Sequence, residues 1–115
     1  DFATISKAMG EIKTLSAKND PQSINQLNRW ITTKEEHANN IQRVVSDYFL
    51  TQRVKSKNKN YDKHLRFLHE ILVGAMRCKQ TVDSQNVDNA LKSLDRFVNV
   101  YFDDHGLEHL QKMSD

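Results

Sequence analysis

Near the end of the chain, His105-Gly-Leu-Glu108-His109 spells H-x-x-E-H, the inverted form of a zinc-peptidase motif. On a helix, two histidines four apart share a face and can hold Zn²⁺ beside a glutamate base. Such a site needs a further ligand well downstream, and only six residues follow His109. A solvated terminal helix accounts for the spacing better. The five histidines (37, 64, 69, 105 and 109) raise a second metal chemistry, the di-iron bundle. That site repeats Glu-x-x-His spacings on inward helix faces, whereas Glu108 and His109 are adjacent and fall on different faces. His69 stands beside an apolar face and reads as a histidine at the edge of the core. Cys78, the single cysteine, has Arg77 and Lys79 beside it, which would favour a thiolate. It also ends an apolar helix face, and a small buried hydrophobe is the better reading. No Ser-His-Asp arrangement, glycine-rich phosphate loop or CxxC pair occurs. The expectation is a non-catalytic chain without a cofactor.

Charge carries the stronger signal. The net charge is +2 over 115 residues, but its distribution is uneven. Residues 1–52 balance, residues 53–79 carry +6, and residues 80–115 carry −4. The excess lies in Arg53, Lys55, Lys57, Lys59, Lys63 and Arg66, followed by Arg77 and Lys79. A solvated loop is one explanation; an anion site is the other. Lys63 and Arg66 are three apart on one side of a helix, and only Arg66 offers a planar two-pronged donor to phosphate. Lys55, Lys57 and Lys59 would act as steering charge. The expected partner is an acidic or phosphorylated peptide, with an acidic lipid or a nucleic-acid backbone as the alternative.

The elements that must position these residues are helices. Tyr61–Lys79 is the most apolar periodic stretch. Leu65, Leu68, Leu72 and Ala75 share one face, and Phe67, Ile71 and Met76 widen it, as in a helix packed on several sides. Leu68 and Leu72 should be buried. Before it, Phe2, Ile5, Met9, Ile12 and Leu15 form a stripe to about Ala17, in which Gly10 would permit a close helix crossing. Asp20-Pro21 reads as N-cap and first helical residue of a short helix with Ile24, Leu27, Trp30 and Ile31. Thr33-Lys34-Glu35-Glu36 matches a capping box opening a third helix to about Leu50. Residues 51–61 read as a long mobile loop. Asp83 or Ser84 caps a fifth helix through Tyr101, and Asp103-Asp104 ends it before a short helix over 106–113. Three Gly and one Pro are too little punctuation for an all-β fold. The result is one all-α domain over residues 1–115, a right-handed superhelix or irregular bundle of about six helices. No segment approaches the roughly 18 apolar residues of a membrane span. A lone cysteine suits a nuclear or cytoplasmic setting. The opening at Asp1, without Met or a signal-peptide pattern, reads as a domain excised from a longer protein.

Three stretches resemble the domains that bind the C-terminal tail of RNA polymerase II, relatives of the ENTH and VHS superhelices. They are QSINQLNRWI (22–31), HANNIQRVV (37–45) and HLRFLHEIL (64–72). The resemblance implies peptide recognition in transcription and RNA processing. The family's tyrosine-contacting Asn-Asp pair falls on Leu72 and Val73 here, and the preceding Tyr on His69.

Overall fold

The computed structural model describes the backbone of residues 1–114 and the side chains of residues 1–103. The described residues form four α-helices: α1 (Phe2–Leu15), α2 (Pro21–Arg43), α3 (Tyr61–Gln80) and α4 (Gln85–Ser114). A π-helical segment, Val44–Arg53, continues α2 directly. No strand occurs among the described residues, so the all-α expectation holds. Among the described residues, no helix is long and apolar enough to cross a membrane.

In α1 the stripe behaves as its spacing requires: Phe2, Ile5, Met9 and Ile12 are buried, with Ala8 between them. The turn into α2 also follows the sequence. The Asp20 carboxylate accepts the Ser23 N–H at 3.0 Å, with Pro21 in the first turn. Hydrogen bonding to Ser23 holds that carboxyl below its ordinary pKa.

The expected break at Thr33 does not form. Thr32 and Thr33 donate their hydroxyls back to the carbonyls of Asn28 and Arg29, each at 3.0 Å. A threonine bonded to the preceding turn lies inside a helix, and a true cap must leave helical backbone geometry. The two short helices expected over 21–50 are therefore one, which runs on into the π-helical segment. That segment takes up the start of the expected loop, residues 51–53. Val54 N–H donates to Phe49 O at 2.8 Å, the backbone bond five residues back that a π-helix makes, and the Thr51 hydroxyl also donates to Ser46 O at 2.6 Å. Only the Val54–Asn60 stretch remains as a connection. The backbone likewise passes through Asp103-Asp104 without a break, so α4 absorbs the last expected helix. Four helices replace about six.

α3 is the centre of the core. His64, Phe67, Leu68, Ile71, Gly74, Ala75 and Cys78 are buried along it, while Leu72 is only half-buried. α3 packs on α4 and α2, and α2 packs on α1. The short links at 16–20 and 81–84 make neighbouring helices antiparallel hairpins. From α4, Val87, Ala90, Phe97 and Tyr101 enter the core.

The close helix approach is at Gly74. A Cβ on Gly74 would stand 2.7 Å from the Ala90 Cβ, whereas Gly10 has open space around it. Gly74→Ala should thus destabilise the fold despite alanine's better helix propensity, worth about 1 kcal/mol. Overpacking of this kind costs ~1–3 kcal/mol. Urea unfolding measures the balance. A variant at least as stable as the parent would show that α3 and α4 separate without strain.

Candidate functional site

The basic run is split by the fold. Lys55, Lys57 and Lys59 are exposed on the turn that leads into α3, and Lys63 and Arg66 are exposed on its first two turns. The side chains of the four lysines make no hydrogen bond or ion pair with described residues. Arg66 lies back over the Phe67 ring, 4.8 Å from its centroid. Arg53 is half-buried and separate in role. Its Nε donates to the Tyr101 hydroxyl at 3.0 Å, and its guanidinium stands 5.7 Å from the Tyr48 ring. The bond to Tyr101 and the nearby rings raise the Arg53 pKa. Arg53 therefore ties the π-helical segment to α4.

Behind Arg53 lies an aromatic cluster that sequence spacing does not announce. Phe49 meets Phe97 and Tyr101 edge-on at 5.3 and 6.0 Å, and Tyr48 packs on Phe49 at 4.9 Å. Buried His64 completes it, 5.7 Å from Phe97 and 6.1 Å from Tyr101. Tyr48 and Phe49 both come from the π-helical segment.

A second unannounced feature closes the other end of α3. The Lys34 ammonium is buried and donates to the carbonyls of Cys78, Lys79 and Thr81 at 2.7, 2.7 and 2.9 Å. The Cys78 and Lys79 oxygens lie in the last turn of α3, carry the negative end of its dipole and have no partner within the helix, and Thr81 is the extended residue just past it. Lys79 clamps the same end, donating to Asn39 Oδ1 at 2.6 Å. Burial pushes the Lys34 pKa down, while Glu35 and Cys78 act to raise it.

Metal-donor residues are scattered. Among the described residues, no three His, Cys, Asp or Glu side chains converge on a metal position. Cys78 is the buried hydrophobe expected of it, and burial raises its pKa, so its sulfur is a neutral thiol. His37 Nδ1 contacts Asp1 Oδ1 at 2.7 Å, and Asp1 Oδ2 accepts from Asn40, an arrangement that ties the start of α1 to α2. His69 is exposed, not at the core edge. His105, Glu108 and His109 lie outside the residues whose side chains are described.

The family model described as nickel-containing superoxide dismutase matches residues 1–105. No curated protein and no solved structure matches the chain. The match overturns the resemblance to RNA polymerase II tail-binding domains, which rested on apolar helix spacing that unrelated helical folds share. With it go the expectations of a peptide-recognition module and of a role in transcription and RNA processing. The expected absence of catalysis is corrected as well, because the matching family is one of enzymes. Spanning nearly the whole chain, the match shows that this protein belongs to the nickel-containing superoxide dismutase family.

Proposed function

We propose that the chain serves a nickel-dependent enzyme that disproportionates superoxide, two superoxide anions and two protons giving dioxygen and hydrogen peroxide. Family membership over residues 1–105 is the observation that carries this reading. The described residues do not fit the metal itself. Nickel is held by converging imidazole, thiolate or other nitrogen and oxygen donors, and among the described residues those side chains are dispersed and the one thiol is buried away from them. Among the described residues no such donor set is assembled.

What the described residues offer is charge. Superoxide is an anion, and exposed Lys55, Lys57, Lys59, Lys63 and Arg66 stand on one turn and the helix start that follows it. A one-signed patch raises the local concentration of an oppositely charged substrate and speeds its encounter. Such steering weakens as salt shortens the screening length, about 8 Å at physiological ionic strength.

Superoxide decay followed by stopped flow, with the nickel content of the same sample measured, tests both parts. Nickel-dependent decay above the metal-free control is expected; its absence would overturn the proposed activity. Charge reversal at Lys55, Lys57 and Lys59 should lower the second-order rate constant severalfold at low salt and flatten its salt dependence. Nickel content should not change. A variant with the parent's rate and salt slope would show that the basic turn is ordinary solvated surface.

A further inference from the structure

A cleft of about 270 Å³ opens between α3 and α4, away from the basic turn in sequence. Its floor is the Gly74–Ala90 approach, where the two helices nearly touch. Glu70 lines one end and Arg77 the other. Seven residues separate them on α3, so their backbones stand roughly 10 Å apart along the helix axis. Helical side chains lean toward the N-terminus, which brings the long Arg77 side chain back over the cleft. The separation discourages a direct ion pair, and among the described residues neither side chain forms one.

The groups between them are sorted by their own hydrogen bonds. The Ser93 hydroxyl, only 7% exposed, donates to Glu70 Oε2 at 2.8 Å and fixes that carboxylate at the cleft wall. Asn86 gives its amide NH₂ to Thr81 Oγ1 at 2.8 Å, which turns its carbonyl toward other uses. Asn89 is the reverse: its carbonyl accepts from Gln85 at 3.0 Å, which keeps its NH₂ as a donor. The cleft therefore presents a carboxylate and a guanidinium that are not neutralised by each other, with one amide acceptor and one amide donor on the facing helix.

We propose that this cleft binds a small linear zwitterion, its ammonium on Glu70 and its carboxylate on Arg77. A dipolar molecule satisfies both charges at once, whereas a simple anion would face Glu70 and a simple cation would face Arg77. Binding of such a zwitterion requires neither the metal nor superoxide turnover, so its test reads binding alone.

The probe is 5-aminopentanoate, a straight chain with one charge at each end. Pentanoate and pentylamine, each lacking one charge, are the controls. Binding is followed by the rise in Tm and by amide shifts of the ¹⁵N-labelled protein. A ligand that binds only the folded state raises Tm in step with its concentration. The zwitterion should give a saturable rise with shifts centred on Gly74, Ala90 and Ser93, and the controls should give none. Glu70→Gln and Arg77→Gln should each weaken apparent affinity roughly tenfold or more, as expected for loss of one charge-assisted pair. Circular dichroism checks that the variants keep the fold. Arg77 is exposed, so Arg77→Gln carries the test if Glu70→Gln unfolds. No saturable shift at millimolar probe, an equal response to either control, or parent-like affinity in Arg77→Gln would each overturn the site.

Discussion

Replacing Lys34 by Met should lower the stability of the fold by roughly 2–5 kcal/mol, since unsatisfied buried acceptors cost ~1–3 kcal/mol each and some will be rewetted. The substitution keeps an unbranched chain of similar bulk but removes the ammonium that three carbonyls at the end of α3 share. Their other ready partner is water, and Lys34 is only 4% exposed. Nothing intrahelical can replace it, because the last turn of any helix lacks internal donors for its carbonyls. The midpoint of urea unfolding reports the loss. A change below about 1 kcal/mol would mean that solvent reaches these carbonyls easily and that the lysine is not a structural clamp.

Leu68→Ala should cost about as much, roughly 2–5 kcal/mol, the range for truncating a buried leucine when the cavity collapses only in part. Leu68 is 1% exposed on the central helix, in one core with Ile71 and Phe97. Against a domain stability of ~5–10 kcal/mol, this variant should unfold at markedly lower urea or fail to fold. Leu72→Ala is the internal comparison. Leu72 is half-buried at the margin, so its loss should be clearly smaller. Equal losses at both positions would show that α3 is buried on both faces, contrary to the packing described.

Much of the architecture was legible from residue spacing. Period 3.6 along Phe2, Ile5, Met9 and Ile12 and again along Tyr61–Lys79 identified α1 and α3, and Asp20-Pro21 marked a helix start, because each signal is local. The failures came where a local signal competed with its surroundings. Thr33-x-x-Glu36 has the letters of a capping box, yet continuing the helix lets Lys34 reach the end of α3, and the threonines bond backward instead. That lysine could have been suspected: it stands four before Ala38 and seven before Ile41, on the apolar face of α2. His64 occupies the same relation to Leu68 and Ile71 on α3. A polar residue in register with a buried stripe either has a partner elsewhere in the fold or is not helical there, and the sequence does not say which.

By itself, then, the sequence determined that this chain is helical, which faces are apolar, and that positive charge gathers over residues 53–66. These follow from backbone sterics, side-chain period and simple counting. Only the tertiary structure decided that six expected helices are four, that Gly74 rather than Gly10 is the point of close approach, and that Arg53 belongs to the aromatic cluster with Tyr101. It also decided that Glu70 and Arg77 share a cleft with Asn86, Asn89 and Ser93. Each of these depends on pairs of residues distant in the chain. Their juxtaposition is set by how the helices pack, and no local pattern encodes it.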